Sequence, residues 1–375
     1  MGARTKKYRK RILLALVLTF LGSVALAGDW TVIRHRDRPY VTFENVAQFY
    51  HFSEYTRVNR TVSLRSERRV VRAQGGTSEY SINGVRFFAC FPLLSNGESD
   101  LISAMDISKI IEPVLRPSRI QGAQKIETVV LDPGHGGIDR GASSSFGTEK
   151  SFTLDVALAA RKELIRAGYR VEMTRVNDVA VSLEERVRFA NRFPRAVFVS
   201  IHFNSASGGA GFETYALAPE GVPSNASSEH HASGSDGRCA GNAFDGQNIA
   251  LTAAIHAAVL SKVSIFDRGV RHARFHVLRN IKIPGVLLEG GFISDPVEGQ
   301  RIATGHYRQQ LGQAIAQGVQ NYNAAVNYRA GVTNFAVART SLPPHARSIS
   351  EPLDADNSLG PIPHHPPSIS IHAGE

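Results

Sequence analysis

From Thr128 to Tyr322 the chain alternates short β-branched or apolar runs with longer helical patterns, and this alternation constrains the fold more than any other feature. The short runs are TVVL from Thr128, YRVEMTR, AVFVSIHF, GFETYAL and GVLLE. The helical patterns run from about Ser151 to Ala167, along SLEERVRFANRF, from Gln247 to Lys262, and from about Tyr307 to Tyr322. Strands and helices in alternation predict an α/β fold, with a mostly parallel sheet covered by helices. Ser182 ahead of Glu184 and Glu185 gives the second helix a capping-box start. At 375 residues and 42% apolar content, there is room for one such domain, expected over 125–325, and a smaller module.

That module is expected over 28–118, where TVIRH, VTF, RTVSL, RRVVRA and GVRFFACF are separated by polar or glycine-bearing turns. Two helical patterns interrupt them, FENVAQFYHF and MDISKIIEPVL, so it reads as small α+β. YVTFENVAQFY and DISKIIEPVL resemble the copper amine oxidase-like N-terminal domain of bacterial wall enzymes, which implies a wall-binding or positioning role. Residues 1–27 read as a signal peptide: six basic residues precede an apolar run from Ile12 to Leu26, which ends in Ala25-Leu26-Ala27. The run is short for a full span, so no stable membrane span is expected after cleavage. Cleavage would lower the formal charge by six, from +10 to +4, a mildly basic balance that suits an anionic polymer. No stripe of basic and aromatic residues appears, and nucleic acid is not an expected partner.

Between Ala218 and Phe244 lies a serine-, glycine- and alanine-rich segment, expected as an insertion loop over 218–246. The tail over 330–375, with its PPHARSISEP and GPIPHHPPSIS, has a composition that cannot bury a core and is expected to be disordered. Cys90 and Cys239 lie in different expected domains, and their spacing decides nothing about pairing.

The chemistry gathers at strand ends. VVLDPGHGGIDRGA places His135 in a glycine-rich turn after the first strand, and Glu149 follows at a loop-to-helix junction. AVFVSIHFN ends with His202 and Asn204, and GVLLEGGF ends with Glu289. In an open α/β sheet these ends converge on one edge. Two histidines and one carboxylate make a His₂Glu zinc set with a position open for water, and a second glutamate can then take the water's proton. Spacing leaves open which glutamate ligates, and it leaves Asp132 and Asp139 as alternatives. Other chemistries fit less well. GHGGID lacks the third glycine of a dinucleotide fingerprint, no GK[ST] completes a P-loop, and no GxSxG elbow is present.

LDPGHGGIDRGA, TEKSFTLDVA, VEMTRVNDVAVSLEERVRFAN, FVSIHFNS, GFETYAL, DRGVRHARFHVLR and IPGVLLEGGFISDPVE, in this order, resemble the zinc-dependent N-acetylmuramoyl-L-alanine amidases of the amidase type 3 family. The resemblance implies a hydrolase that cuts the amide between N-acetylmuramic acid and L-alanine of peptidoglycan, in wall turnover or daughter-cell separation. It puts the Zn²⁺ ligands on His135, Glu149 and His202 and the catalytic glutamate on Glu289. Asn204 and Arg274 fall in site-lining stretches, and Asp132 and Asp139 read as organisers of the turn. Peptidoglycan is the implied partner, and an activator protein is kept as a further one. Export is expected, to a periplasm rather than beyond it. His230, His231, His256, His272 and His276 are expected to be incidental or packed. The alternative reading is a non-catalytic peptidoglycan-binding adaptor, which the presence of all four site residues opposes.

Overall fold

The computed structural model describes residues 30–226 and 236–328. The expected signal peptide, the expected tail, and His230 and His231 lie outside these residues. The chain enters through a hairpin of β1 (Val32–His35) and β2 (Arg38–Thr42), whose turn residues Arg36 and Asp37 both take positive φ, at 47° and 62°. That handedness matches the twist of the flanking strands. Thr42 caps α1 (Phe43–Phe49) by accepting from the backbone N–H of Asn45. An antiparallel meander follows, made of β3 (Glu54–Val58), β4 (Thr61–Arg65), β5 (Val70–Gln74), β6 (Glu79–Ile82) and β7 (Val85–Phe88). Short β8 (Leu94–Ser95) and β9 (Asp100–Ser103) return to pair beside β2. A helical run of α2 (Ala104–Asp106), a π turn (Ile107–Ile111) and α3 (Glu112–Leu115) closes this part.

The second part begins with β10 (Thr128–Pro133), a small hairpin of β11 (Ser143–Ser144) and β12 (Gly147–Thr148), and α4 (Glu149–Arg166). It continues through β13 (Arg170–Met173), α5 (Leu183–Ala190), β14 (Ala196–Asn204), β15 (Phe212–Leu217), α6 (Asp245–Lys262) and β16 (Asp267–Ala273). The last elements are α7 (His276–Asn280), β17 (Gly285–Phe292), α8 (Pro296–Ile302) and α9 (Gly305–Val326). The neighbours β13, β10, β14 and β17 are parallel; β15 runs antiparallel to β17 and parallel to β16. The sheet is α/β and mostly parallel, as expected. β14 reads as a continuous apolar run because both faces are covered: Val197, Val199 and Ile201 meet the core of α4, α6 and α9, while Phe198 meets the opposite cluster. The capping box of α5 is present, with Ser182 and Glu185 bonding each other's backbone N–H.

β16 has no counterpart among the expected strands, because Arg268, Gly269 and Arg271 mask its apolar signal. It is nonetheless the seam of the molecule. Val270 pairs in parallel with Phe87 of β7, so one sheet of eleven strands runs β13-β10-β14-β17-β15-β16-β7-β6-β5-β4-β3. Asp267 accepts from the Arg86 N–H at 3.2 Å, and Lys109 reaches Asp245 at 2.7 Å. Apolar residues of both parts, including Leu64, Phe87, Ala216, Ile249 and Val270, share one core. His256 is packed between Thr214 and Asp267, and burial pushes the imidazole of His272 down to about 4. Cys90 and Cys239 are both free thiols. No helix among the described residues is long and apolar enough to cross a membrane.

α9 lies against α4 and α6 at backbone distance. A Cβ at Gly318 would come within 2.4 Å of the Ile255 Cα, so no side chain fits. Gly318→Val is expected to lower stability by about 1–3 kcal/mol, as overpacking does. Chemical denaturation checks this, and an unchanged midpoint would contradict the packing described.

Candidate metal centre

The site is built on the carboxyl end of β10. Asp132, buried there, accepts from Thr174 Oγ1 at 2.6 Å, Arg186 Nη1 at 2.6 Å and Ser200 Oγ at 2.9 Å. Arg186 also donates to the carbonyls of Pro133, at 2.8 Å, and His135, at 2.9 Å. Buried Arg175 donates to the carbonyls of Pro133, Gly134 and Lys150. Two guanidinium groups thus collect the carbonyls of three successive residues and turn the chain sharply. His135 takes φ 61° as a result, a conformation that costs on the order of 1 kcal/mol or more for a residue other than glycine. Gly134 allows the close approach of the next strand, since a Cβ there would stand 2.3 Å from the His202 ring.

His202 projects from the end of β14 and Glu149 opens α4. His135 Nε2 and His202 Nδ1 each lie 3.0 Å from Glu149 Oε1, and ligand atoms of the three residues all fall within 4.8 Å of one another. Asp139 sits 2.9 Å from His135 Nδ1 through both oxygens, which keeps the proton there and leaves Nε2 facing inward. Glu149 is 4% exposed and is aimed by the N–H groups of Phe203, on Oε1, and Ala142, on Oε2. Burial would raise the Glu149 carboxyl, but the nearby His135 and His202 rings outweigh it and hold the group well below the usual range. Two imidazole nitrogens and an ionised carboxylate converging on one point form a donor set for a borderline-soft divalent cation.

Glu289 stands beside this set. Strand register puts it opposite His202 on β14 and opposite Glu213 on β15, so all three side chains leave one face of the sheet. Its Oε2 is enclosed and has no hydrogen-bond partner among the described residues. Burial, then the charges of Glu149 and Glu213, push its carboxyl well above the ordinary value. Asn204 donates from Nδ2 to Glu213 Oε1 at 2.8 Å, and Glu213 also receives Tyr215 OH at 2.8 Å and Arg268 Nε at 3.0 Å.

Three groups here escaped the sequence reading. Arg175, Arg186 and Glu213 are charged residues at buried positions, and a single sequence gives charge without burial. Arg186, four residues before Ala190, shares the inward face of α5 with Val187 and Ala190, but its charge hides that placement from a reading of the sequence. Arg274, expected in a site-lining stretch, is buried and engaged by backbone carbonyls. At 2% exposure, its guanidinium donates to the carbonyls of Pro219, Asp236 and Gly237, all within the segment expected as an insertion.

A three-donor cluster able to hold a metal ion at the carboxyl edge of parallel strands, with a buried carboxyl alongside, is the arrangement of a metal-dependent hydrolase of the α/β class. Residues 129–321 match the family model described as N-acetylmuramoyl-L-alanine amidase. The chain is 31% identical over 230 residues to the sporulation-specific N-acetylmuramoyl-L-alanine amidase of Bacillus subtilis (strain 168), covering 60% of this chain and 80% of that protein. It is also 31% identical over 214 residues to the N-acetylmuramoyl-L-alanine amidase CwlM of Bacillus licheniformis, covering 55% and 75%. Among solved structures, an N-acetylmuramoyl-L-alanine amidase from Clostridium difficile 630 aligns with a TM-score of 0.44 at 31% identity, over 53% of this chain and 97% of that one. The chain belongs to the N-acetylmuramoyl-L-alanine amidase family, and its activity is that of a peptidoglycan amidase.

Removing one partner of the Arg186–Asp132 pair strands a buried charge. Arg186→Met is expected to cost about 3–5 kcal/mol and to loosen the loop that carries His135. Urea unfolding measures the first effect, and a loss below about 1 kcal/mol, the worth of an exposed pair, would show that the pair is not buried as described.

Proposed function

We propose that His135, Glu149 and His202 hold Zn²⁺ and that Glu289 is the general base and acid of the amidase reaction. The observation carrying this reading is the register of β14 and β17, which sets Glu289 beside His202 at the converging donor atoms. The donor set fits zinc: two neutral imidazoles and one carboxylate, with Asp139 and two backbone N–H groups fixing their directions. When bound, the metal supplies Lewis acidity, polarising an amide carbonyl and acidifying water. The chain's own part is proton movement and orientation. Glu289 takes a proton from the attacking water and passes it to the nitrogen of the departing L-alanine, so the C–N bond breaks to a neutral amine. Its enclosed setting raises the carboxyl above the ordinary value, which makes it a stronger base than a solvated glutamate. Asn204, held by Glu213, lines the same edge and is placed to receive a polar group of the substrate.

In this reading residues 125–325 are the catalytic domain and 28–118 a module that positions the substrate. The enzyme acts on the wall beyond the cytoplasm, in a periplasm, in turnover or in daughter-cell separation. The expected bond is the one joining the lactyl group of N-acetylmuramic acid to L-alanine. Mass spectrometry of digested sacculi should therefore show whole stem peptides with a free alanine amine.

Glu289→Gln is expected to keep one equivalent of zinc by elemental analysis and to lose about 10²–10⁴ in turnover, the usual worth of a general base. His135→Ala is expected to lose both metal and activity while keeping the fold by circular dichroism. A Glu289→Gln enzyme that releases stem peptides at the native rate would overturn the assignment of the base.

A further inference from the structure

Between β14 and β15 the chain runs Gly208-Gly209-Ala210-Gly211, and two of these glycines make room for side chains. A Cβ at Gly209 would stand 2.3 Å from the Phe292 ring, and one at Gly211 would stand 2.7 Å from Arg268 Cγ. Gly211 also takes φ 113°, which residues with a side chain rarely adopt. The loop therefore lies close enough to seat Phe292 and Arg268 together, and the Arg268 guanidinium rests 4.8 Å from the Phe292 ring centroid.

That guanidinium stands at the edge of the sheet that carries the metal centre. β15 is antiparallel to β17 and parallel to β16, so the amino ends of β15 and β16 meet the carboxyl ends of β14 and β17. Phe212 pairs with Asp267 and Glu213 with Gly269, which leaves Arg268 as the extra residue of a bulge. A bulge re-aims a side chain out of the regular alternation of its strand. Here Arg268 is turned onto Glu213, whose partner on the other side of β15 is Glu289.

Glu213 is wholly enclosed. Its Oε1 receives Asn204 and Tyr215, while its Oε2 faces Arg268 Nε at 3.0 Å and Arg271 Nε at 3.3 Å. One carboxylate oxygen thus stands against two guanidinium groups. The neighbouring acids are committed elsewhere: Glu298 to the N–H groups of Gly211 and Phe292, and Asp267 to His256 and the N–H groups of Gly269 and Arg86. Arg271 is covered by the Phe88 ring, 3.8 Å away, so the cation that meets solvent is Arg268, whose side chain is 23% exposed. Its Nη1 reaches the Ala210 carbonyl only at 3.4 Å, and its Nη2 has no partner among the described residues. Held at Nε and along one flat face, the fork has its outer nitrogens left to take a carboxylate.

The sugars of peptidoglycan are neutral, and its carboxylates lie on the stem peptide. Strands lie about 4.8 Å apart, so the Arg268 backbone is about 10 Å from Glu289, and its Nε returns to Glu213, about 5 Å from Glu289. An extended peptide advances about 3.4 Å per residue. The second and third stem residues, counted from the L-alanine whose amide is cut, fall in that interval.

We propose that Arg268 is a substrate-binding residue that receives a carboxylate of the second or third stem residue, and so lays the stem peptide toward β15 and β16. The inference rests on the amidase reading of the centre. The contact adds affinity without taking part in proton transfer, so the enzyme prefers stems that carry the free acid.

The test uses the full zinc-loaded chain and soluble disaccharide-tetrapeptides in which the side carboxyl groups of the second and third residues are either free or converted to carboxamides. The parent is expected to favour the free acid about ten-fold in kcat/KM, through KM, as one charge-assisted pair gives. In Arg268→Gln, shown to be folded by thermal melting and zinc-replete by elemental analysis, KM for the acid is expected to rise to that for the carboxamide, and Arg268→Lys should keep part of the preference. A parent indifferent to the carboxyl groups would overturn the assignment whatever the variants do. So would an Arg268→Gln enzyme that keeps the preference, or one whose rates fall equally on both substrates, the mark of a residue that only supports Glu213. A zinc-loaded parent that cuts neither substrate would instead refute the amidase reading.

Discussion

The structure hangs on the buried pairing of Arg186 with Asp132. A carboxylate at the end of a central strand is an expensive thing to enclose, and here it is matched by one guanidinium and two hydroxyls. The same guanidinium then takes the carbonyls of Pro133 and His135, and Arg175 takes that of Gly134. The chain is left no freedom to relax into an ordinary loop. His135 is therefore presented from a left-handed backbone with its Nε2 beside Glu149.

Strand register supplies the other half of the arrangement. Because β14 and β17 are parallel neighbours, a histidine on one and a glutamate on the other stand side by side without any loop to position them. A site on sheet strands is held more rigidly than one on loops, which suits a proton transfer that tolerates little displacement. The same sheet extends through β15 and β16 into the meander of the first part, so both parts are joined by one ladder of strands. His256, bonded to Thr214 and Asp267, and the Asp267 bond to Arg86 hold that junction from the buried side.

Much of this was legible in the sequence, and the reasons for the rest are physical. The runs at Thr128, Ala196 and Gly285 read as strands because both faces are buried and they are apolar throughout. His135, His202 and Glu289 stood out because each follows such a run. β16 was not legible, since its two arginines and a glycine serve a seam rather than a core and break the hydrophobic pattern. Nor could Arg175, Arg186 and Glu213 be found, because the energy of a buried charge depends on partners far away in the chain. The guanidinium of Arg274 donates to the carbonyls of Pro219 and Asp236, partners a single sequence does not show.

The most direct test of the account is crystallographic: diffraction collected on either side of the zinc absorption edge, with the purified metal-loaded enzyme. The account predicts a single strong anomalous peak about 2.0–2.2 Å from His135 Nε2, His202 Nδ1 and a Glu149 oxygen, with the Glu289 carboxyl facing the remaining position. A peak bound elsewhere in the fold, or a metal at this point with Glu289 turned away from it, would contradict the central claim.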